Sequence, residues 1–313
     1  MCSKMMKTII AALLCATIAG AVAACANSGT ATSTEPSSAP DGGAVKVSVT
    51  FDAMKEFAKA VGGDKAQISV IVPNGTEPHD FEPKGRDLAA LGEAQILVYN
   101  GLGMESWVEE AIAAAGNPSL IAVEATKGID PIASAGPEAT KQHGHYDPHA
   151  WLSLKNAETA ARNILDALTQ ADPPNKRYYE QNCDGFIAQL EALYDKYHAK
   201  FQSAAKNSFV TGHAAFGYLC RDFALEQNSV EGTYAEGEPT ARQLAALVEY
   251  CKQNHVTTIF AEKLASPAVS QTLANEVGAK VETIYTIESA EDGMTYLERM
   301  ESNLAKIYES LGG

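Results

Sequence analysis

The stretch 45-VKVSVTF-51 is rich in β-branched residues, and it leads directly into an amphipathic stretch over residues 52–62. This pairing of a strand with a helix repeats along the first half of the chain. Further strands are predicted at 67-QISVIVP-73, 95-QILVYN-100 and 119-SLIAV-123, and further helices at 84–93 and 104–115. Alternating strands and helices are typical of a parallel sheet whose faces are covered by helices. We therefore expect an α/β lobe that begins near Val45.

The same alternation returns in the last third of the chain. A second α/β lobe is therefore expected over residues 206–313, after a first lobe over residues 45–172. Its strands are predicted at 207–212, 227–232, 256–262 and 280–285, and its helices at 214–224, 240–254, 266–277 and 292–310.

One long helix is predicted between the lobes, within residues 173–205. Apolar side chains recur there at spacings of three or four, which is the period of one helix face. These side chains are Phe186, Leu190, Leu193, Tyr197 and Phe201. The sequence thus predicts an α/β fold of two lobes, each with a parallel β-sheet flanked by helices, joined by one long rigid helix.

The N-terminal region has the pattern of an export signal over residues 1–24. Lys4 and Lys7 precede an apolar run that contains no acidic residue and ends in AVAAC at Cys25. Small residues before a cysteine resemble the lipobox of bacterial lipoproteins, so Cys25 is expected to carry lipid; a transmembrane anchor is the alternative. Residues 25–44 have the Ser, Thr, Gly and Pro content of a flexible tether.

The composition is that of a soluble globular protein, with 46% hydrophobic and 20% charged residues. The formal net charge is −15, and removal of residues 1–24 takes away two lysines and no acid, which makes it −17. Such a chain is poorly suited to bind nucleic acid through phosphates. Three cysteines, Cys183, Cys220 and Cys251, remain after Cys25. We expect them to be small buried hydrophobic residues, with a Cys220–Cys251 disulfide as the alternative.

Three of the seven histidines occupy comparable positions at strand or helix ends. His79 and His213 follow predicted strands, and His149 precedes a helix predicted over residues 153–172. Ligands of parallel sheets bind outside the carboxyl ends of strands, so these imidazoles can face one cleft. Glu288, in the loop after strand 280–285, is the best fourth donor, while Glu291 and Asp292 are expected to cap the last helix. Histidines with one carboxylate suit Zn²⁺, whereas Mn²⁺ prefers more carboxylate and water.

Four segments carry a family resemblance: PHDFEP (78–83), DPHAWLSLKNA (147–157), GHAAFGYLCRDFAL (212–225) and FAEKLASPAVSQTLANEVGAKV (260–281). They resemble the metal-binding lipoproteins of bacterial zinc and manganese ABC importers. The resemblance implies a metal held in the cleft between the lobes by His79, His149, His213 and Glu288. Histidine at the third position points to Zn²⁺, with Mn²⁺ as the second choice.

Other residues near these segments are candidates for supporting roles. His143 and His145 are the remaining imidazoles of a loop that is longer and richer in histidine in zinc members of the family, and they are a possible accessory metal site. Glu77, Asp80 and Glu262 are expected to orient the ligand histidines through hydrogen bonds rather than to bind metal.

The resemblance implies a lipid-anchored, monomeric capture protein on the outer face of the cell membrane or in the periplasm. It would bind Zn²⁺ with high affinity and deliver it to a membrane permease driven by an ATPase, without enzymatic activity. A zinc hydrolase is an alternative, because residues 143–149 nearly match HxHxDH, but Pro148 breaks that motif and HExxH is absent. A surface adhesin is a further alternative.

Overall fold

The computed structural model describes residues 43–134, 145–234, 239–263 and 267–313, and residues 43–313 belong to one compact unit. Its first sheet is entirely parallel and has the order β2-β1-β3-β4. The strands are β1 (Val45–Val49), β2 (Ala66–Val70), β3 (Ile96–Tyr99) and β4 (Ile121–Glu124). The central strands β1 and β3 are mostly buried, whereas the edge strand β2 is partly exposed, as the apolar content of their sequences predicts.

The second sheet repeats this arrangement in the order β6-β5-β7-β8, again with parallel neighbours. Its strands are β5 (Ser208–Thr211), β6 (Glu226–Ser229), β7 (Thr258–Glu262) and β8 (Lys280–Ile284). In both sheets, the strand order reverses between two neighbouring strands, β1 and β3 in the first sheet and β5 and β7 in the second. The carboxyl ends of β5 and β7 therefore flank a crevice of the kind in which parallel sheets bind ligands.

Helices cover the faces of both sheets. They are α1 (Asp52–Gly62), α2 (Gly85–Glu93), α3 (Val108–Ala115), α4 (Leu154–Ala171), α5 (Lys176–Phe201), α6 (Gly217–Phe223), α7 (Ala241–Gln253), α8 (Pro267–Val277) and α9 (Tyr296–Ser310). The longest of these, α5, has 26 residues and spans about 39 Å at 1.5 Å per residue. It is the predicted long helix between the sheets. The predicted fold class is therefore confirmed.

The largest hydrophobic cluster is continuous across both sheets and α5. It includes Val47 of β1, Leu190 of α5 and Phe209 of β5. Two smaller clusters lie elsewhere in the body, one around Leu97 of the first sheet and one around Ile259 of the second. The two sheets thus share one central core rather than forming two separate ones. The domain boundaries expected from the sequence stay a prediction.

Two predicted helix starts are wrong by four residues. The helix predicted from residue 104 begins at Val108, because Gly101, Leu102 and Gly103 all have positive φ and a turn follows them. The last helix was predicted to begin at residue 292, with Glu291 and Asp292 as caps. It begins at Tyr296.

Thr295 is the cap of this last helix, and it forms a reciprocal capping box with Glu298. A helix cannot start at Asp292, because Asp292 and Gly293 have φ of 53° and 67°. The Asp292 carboxylate instead accepts hydrogen bonds from Lys263 Nζ at 2.6 Å and the Tyr285 hydroxyl at 2.8 Å.

The cysteines behave as expected. Cys183, Cys220 and Cys251 are buried free thiols, so the alternative Cys220–Cys251 disulfide is not formed. Within the described parts of the chain, no helix is both long and apolar enough to cross a bilayer. The predicted signal, residues 25–42 of the predicted tether with Cys25, and His143 lie outside the described residues.

Candidate metal centre

His149 lies at the end of a short loop, directly before a single helical turn over Ala150–Leu152. Its Nδ1 donates a hydrogen bond to Asp147 Oδ1 at 2.8 Å, and the same oxygen accepts the backbone N–H of His149 at 3.0 Å. Because Nδ1 carries the proton in this arrangement, Nε2 keeps its lone pair. A carboxylate behind a histidine in this way is the usual support of a metal-binding imidazole.

The loop of His149 is fixed from both lobes. Asn100, at the end of β3, donates from Nδ2 to the Pro148 carbonyl at 2.9 Å. The hydroxyl of Tyr218, on α6, donates to the Asp147 carbonyl at 2.7 Å. Sequence reasoning did not assign Asp147 a role. The sequence does contain an indication of this role, because Asp147 stands two residues before the candidate ligand His149 in the motif DPH.

Three imidazole nitrogens meet in the cleft. His149 Nε2 lies 3.2 Å from His79 Nε2 and 3.4 Å from His213 Nε2. Donors at about 2.0–2.1 Å from a tetrahedral Zn²⁺ are about 3.3–3.4 Å apart, which is the edge of the tetrahedron. The two distances from His149 Nε2 therefore match the edges of a zinc tetrahedron. All three rings are buried.

Glu288 brings a carboxylate to the same place from the loop after β8. Its Oε2 accepts the Thr286 hydroxyl at 2.7 Å. Its Oε1 lies 3.8 Å from His149 Nε2 and is buried without a hydrogen-bond donor among the described residues. An unsatisfied buried carboxylate oxygen is costly unless a cation or proton completes it. His79, His149 and Glu288 together offer donor atoms within 4.8 Å of one another. His213 is not part of this group among the described residues, because its Nε2 lies near His149 but not within that distance of every other donor.

His213 comes from the first residues after β5, and Glu262 from the end of β7. Glu262 Oε1 accepts the backbone N–H of His213 at 3.1 Å and lies 3.5 Å from its Nδ1. The close approach depends on Gly212, where a Cβ atom would lie 2.0 Å from Glu262 Oε2. Glu262 thus lies on the Nδ1 side of His213, as Asp147 lies on the Nδ1 side of His149. The distance from carboxylate oxygen to Nδ1 is 3.5 Å in the first pair and 2.8 Å in the second.

The other candidates are placed differently. Glu77 is half-buried, and its Oε1 accepts the backbone N–H of His79 at 3.3 Å. Asp80 is exposed, in contrast to the buried ligand candidates. His145 is also exposed. Of the supporting residues expected from the sequence, Glu77 and Glu262 therefore contact the backbone of the ligand histidines.

Burial and neighbouring charges shift the protonation of the cluster. Burial lowers the pKa of His149 well below its usual value, and His213 lowers it further. Burial by itself would lower the pKa of His213, but Glu262, Glu288 and Glu77 outweigh it and raise that pKa to about 9. Burial raises the pKa of Glu288 to about 8, with help from Glu77. Burial also raises the pKa of Asp147 to about 7.

Aromatic rings form the walls of the site. The Trp151 ring lies 5.1 Å from that of His149, and the Tyr234 ring lies edge-on to His79 at 5.4 Å. The Tyr234 hydroxyl donates to the Tyr146 carbonyl at 2.8 Å, and the Trp151 indole donates to the Thr286 carbonyl at 2.7 Å. The rings limit access of water to the imidazoles and strengthen electrostatic interactions inside the cleft.

Several known proteins are similar to this chain in sequence. The family described as zinc-uptake complex component A, periplasmic, matches residues 47–310. A protein of Treponema pallidum (strain Nichols), whose name describes a metal-binding protein without stating the metal, is 46% identical over 84% of this chain and 86% of its own. The high-affinity zinc uptake system protein ZnuA of Bacillus subtilis (strain 168) is 37% identical over 93% of each chain.

A solved structure extends the likeness to three dimensions. The crystal structure of a ZnuA deletion mutant with zinc bound matches with a TM-score of 0.76 and 32% identity, covering 86% of this chain and 98% of that one. The family match spans both sheets and all four candidate ligands. This chain therefore belongs to the zinc-uptake complex component A family of substrate-binding proteins.

Proposed function

We propose that this protein captures one Zn²⁺ in the cleft between its sheets and delivers it to a membrane permease driven by an ATPase. The observation that carries the proposal is the group of donor atoms from His79, His149 and Glu288, which lie within 4.8 Å of one another. His213 Nε2 lies 3.4 Å from His149 Nε2 and is the fourth donor of the proposal. Family membership supports the transport role.

The ligand set favours zinc over manganese. Three nitrogen donors and one carboxylate, all buried, suit a four-coordinate Zn²⁺, whereas Mn²⁺ is better served by oxygen ligands and water. Four protein donors also close the coordination shell. A catalytic zinc keeps a position open for water, so a closed shell supports capture rather than hydrolysis.

The supporting side chains would set the affinity. Asp147 and Glu262 would orient His149 and His213, and Glu77 would orient His79 through its backbone. His145, together with His143, would form at most a weaker capture site in the loop before the cleft, since His145 is exposed.

The proposed location follows from the N-terminal sequence and the family. An export signal over residues 1–24 and lipid on Cys25 would hold the body outside the cytoplasmic membrane, with residues 25–44 as a tether. A single lipid chain binds a bilayer only marginally, so stable anchoring requires more than one acyl chain on Cys25. The body is proposed to act as a monomer.

Competitive titration of the metal-stripped protein with Zn²⁺ and Mn²⁺ tests this function. We expect one tightly bound Zn²⁺ per protein and much weaker binding of Mn²⁺. Loss of one ligand, in His79→Ala or His213→Ala, is expected to weaken zinc about a hundredfold to a thousandfold, since four ligands share the binding free energy.

The matched control is His198→Ala, which removes a histidine of α5 whose ring stacks on Tyr194 and lies within hydrogen-bond distance of Gln202, so it should leave the zinc affinity unchanged. Equal zinc affinity in the His79, His213 and His198 variants would contradict the site. Hydrolytic activity in zinc-loaded Glu288→Gln would favour the enzyme alternative.

A further inference from the structure

Arg299 of α9 is fully buried, and its guanidinium joins the two lobes. Its Nη2 donates to Asp52 Oδ2 at 2.6 Å, and its Nη1 donates to the Ser289 carbonyl at 2.8 Å. Asp52 is the first residue of α1, and its other oxygen accepts Lys55 Nζ at 2.9 Å. A buried arginine is costly unless it is paired and hydrogen-bonded, and here both conditions are met. The pair therefore connects the first lobe to the residue next to Glu288.

The first lobe also holds the loop of Glu288 through three other hydrogen bonds. These run from Asp52 N–H to the Glu288 carbonyl at 3.3 Å, from Trp151 Nε1 to the Thr286 carbonyl at 2.7 Å, and from Gly75 N–H to the Ser289 hydroxyl at 2.8 Å. Although Glu288 belongs to the second half of the sequence, its loop is fastened to the half that carries His79 and His149.

The loop needs this support because its backbone is strained. Ile287, directly before Glu288, has a φ of 62°, which a β-branched residue rarely adopts. Its side chain is fully buried. Such a conformation persists only where surrounding contacts hold it in place.

We propose that the buried Asp52–Arg299 ion pair is a positioning device for Glu288, which makes the fourth ligand part of the first lobe. The proposal rests on the proposed function of the cleft. In consequence, His79, His149 and Glu288 form a preassembled part of the site, and His213 is the ligand that completes it from the second sheet. Arg299 and Asp52 act through the loop and do not touch the metal.

A double-mutant cycle with Glu288→Gln tests the proposal, read out as zinc affinity against a competing chelator. The combined change Asp52→Asn and Arg299→Met removes both charges and keeps the backbone N–H of residue 52. The combined change is expected to lower the zinc affinity about tenfold to a hundredfold when Glu288 is present. In the Glu288→Gln background, it should weaken zinc by no more than about twofold, because no carboxylate remains to be positioned.

Two further variants separate positioning from general stability. Arg299→Lys keeps the charge but lacks the planar fork that contacts Asp52 and Ser289 together, so it should weaken zinc less than the combined change. Tyr179→Phe, on α5, removes a partly buried hydrogen bond of 2.7 Å to Asp172, the residue that follows α4. It should lower the thermal stability of the metal-free protein and leave zinc affinity unchanged.

Equal losses of affinity with and without Glu288 would overturn the positioning role. The same conclusion would follow if Tyr179→Phe weakened zinc as much as the pair variant. If Glu288→Gln alone left zinc affinity unchanged, both the assignment of Glu288 and the positioning role would fall. Loss in Glu288→Gln with no loss in the pair variant would overturn the positioning role alone.

Discussion

The two lobes share one strand order, yet the pKa of His149 in the first lobe and that of His213 in the second are shifted in opposite directions. In the first lobe, burial lowers the pKa of His149 well below its usual value, and Asp147 accepts its Nδ1–H. In the second lobe, Glu262, Glu288 and Glu77 outweigh burial and raise the pKa of His213 to about 9. The first lobe thus offers a neutral imidazole, whereas the second must lose a proton before it can bind metal.

Similar topology therefore does not produce equivalent ligands. His149 is kept neutral by burial, and the Asp147 carboxylate holds its proton on Nδ1, which leaves Nε2 free to bind metal. The neighbouring carboxyl groups, Glu262 first among them, favour the protonated form of His213. A bound dication would replace that proton as the counter-charge.

The largest expected effect is on the pH dependence of zinc affinity. At pH 7, His213 and Glu288 carry protons in the metal-free protein, because their pKa values are raised to about 9 and about 8. Zinc must displace these protons, so affinity should rise with pH up to about 9 and fall below it. Each displaced proton changes affinity about tenfold per pH unit.

Calorimetry in two buffers of different ionisation enthalpy measures the number of protons released. We expect between one and two protons at pH 7, falling by about one in His213→Ala. Release of no proton would contradict the raised pKa values of His213 and Glu288.

The next largest effect is expected from the two carboxylates behind the histidines. Asp147→Asn should weaken zinc about tenfold to a hundredfold, because an amide supports the imidazole less well than a carboxylate. Glu262→Gln should weaken it less at pH 7, since the same change removes a charge that holds a competing proton on His213. Zinc titration of both variants at pH 7 and pH 9 checks this, and equal losses at both pH values would contradict it.

The smallest effect is expected at Gly212. A Cβ atom there would lie 2.0 Å from Glu262 Oε2, so Gly212→Ala should push the carboxylate away from His213. Because the displaced atom is the end of a flexible side chain, we expect zinc affinity to fall only about threefold to tenfold.

The matched control for this prediction is Gly232→Ala in the same lobe, where an added Cβ meets nothing within 4 Å. It should leave zinc affinity unchanged. A larger loss in Gly232→Ala than in Gly212→Ala would show that the spacing behind His213 is not what matters.

The sequence predicted the fold because strand and helix periodicities depend on local patterns. The long helix and the alternating strands of both lobes were predicted within a few residues. Of the predicted ligands, His79, His149 and Glu288 lie together in the structure, and His213 lies beside His149. Helix starts near residues 104 and 292 were mispredicted, since left-handed residues such as Leu102 and Asp292 leave no clear periodic signal.

Contacts between distant segments were beyond the sequence. Nothing in the pattern around Arg299 indicates a partner at Asp52, which is 247 residues away. Asp147 was quoted in a motif but not assigned, because a carboxylate two residues from a histidine is common in loops. Long-range pairing depends on how the two sheets dock, and only the folded chain shows it.

The central core that runs through both sheets and α5 has a consequence for how the body comes apart. A fragment ending near residue 205 would expose the apolar face that now packs against Phe209 and Phe260, so neither half is expected to fold alone. Unfolding should therefore be a single cooperative transition. A metal ion bound in the cleft would then raise the melting temperature of the entire body, not of one lobe.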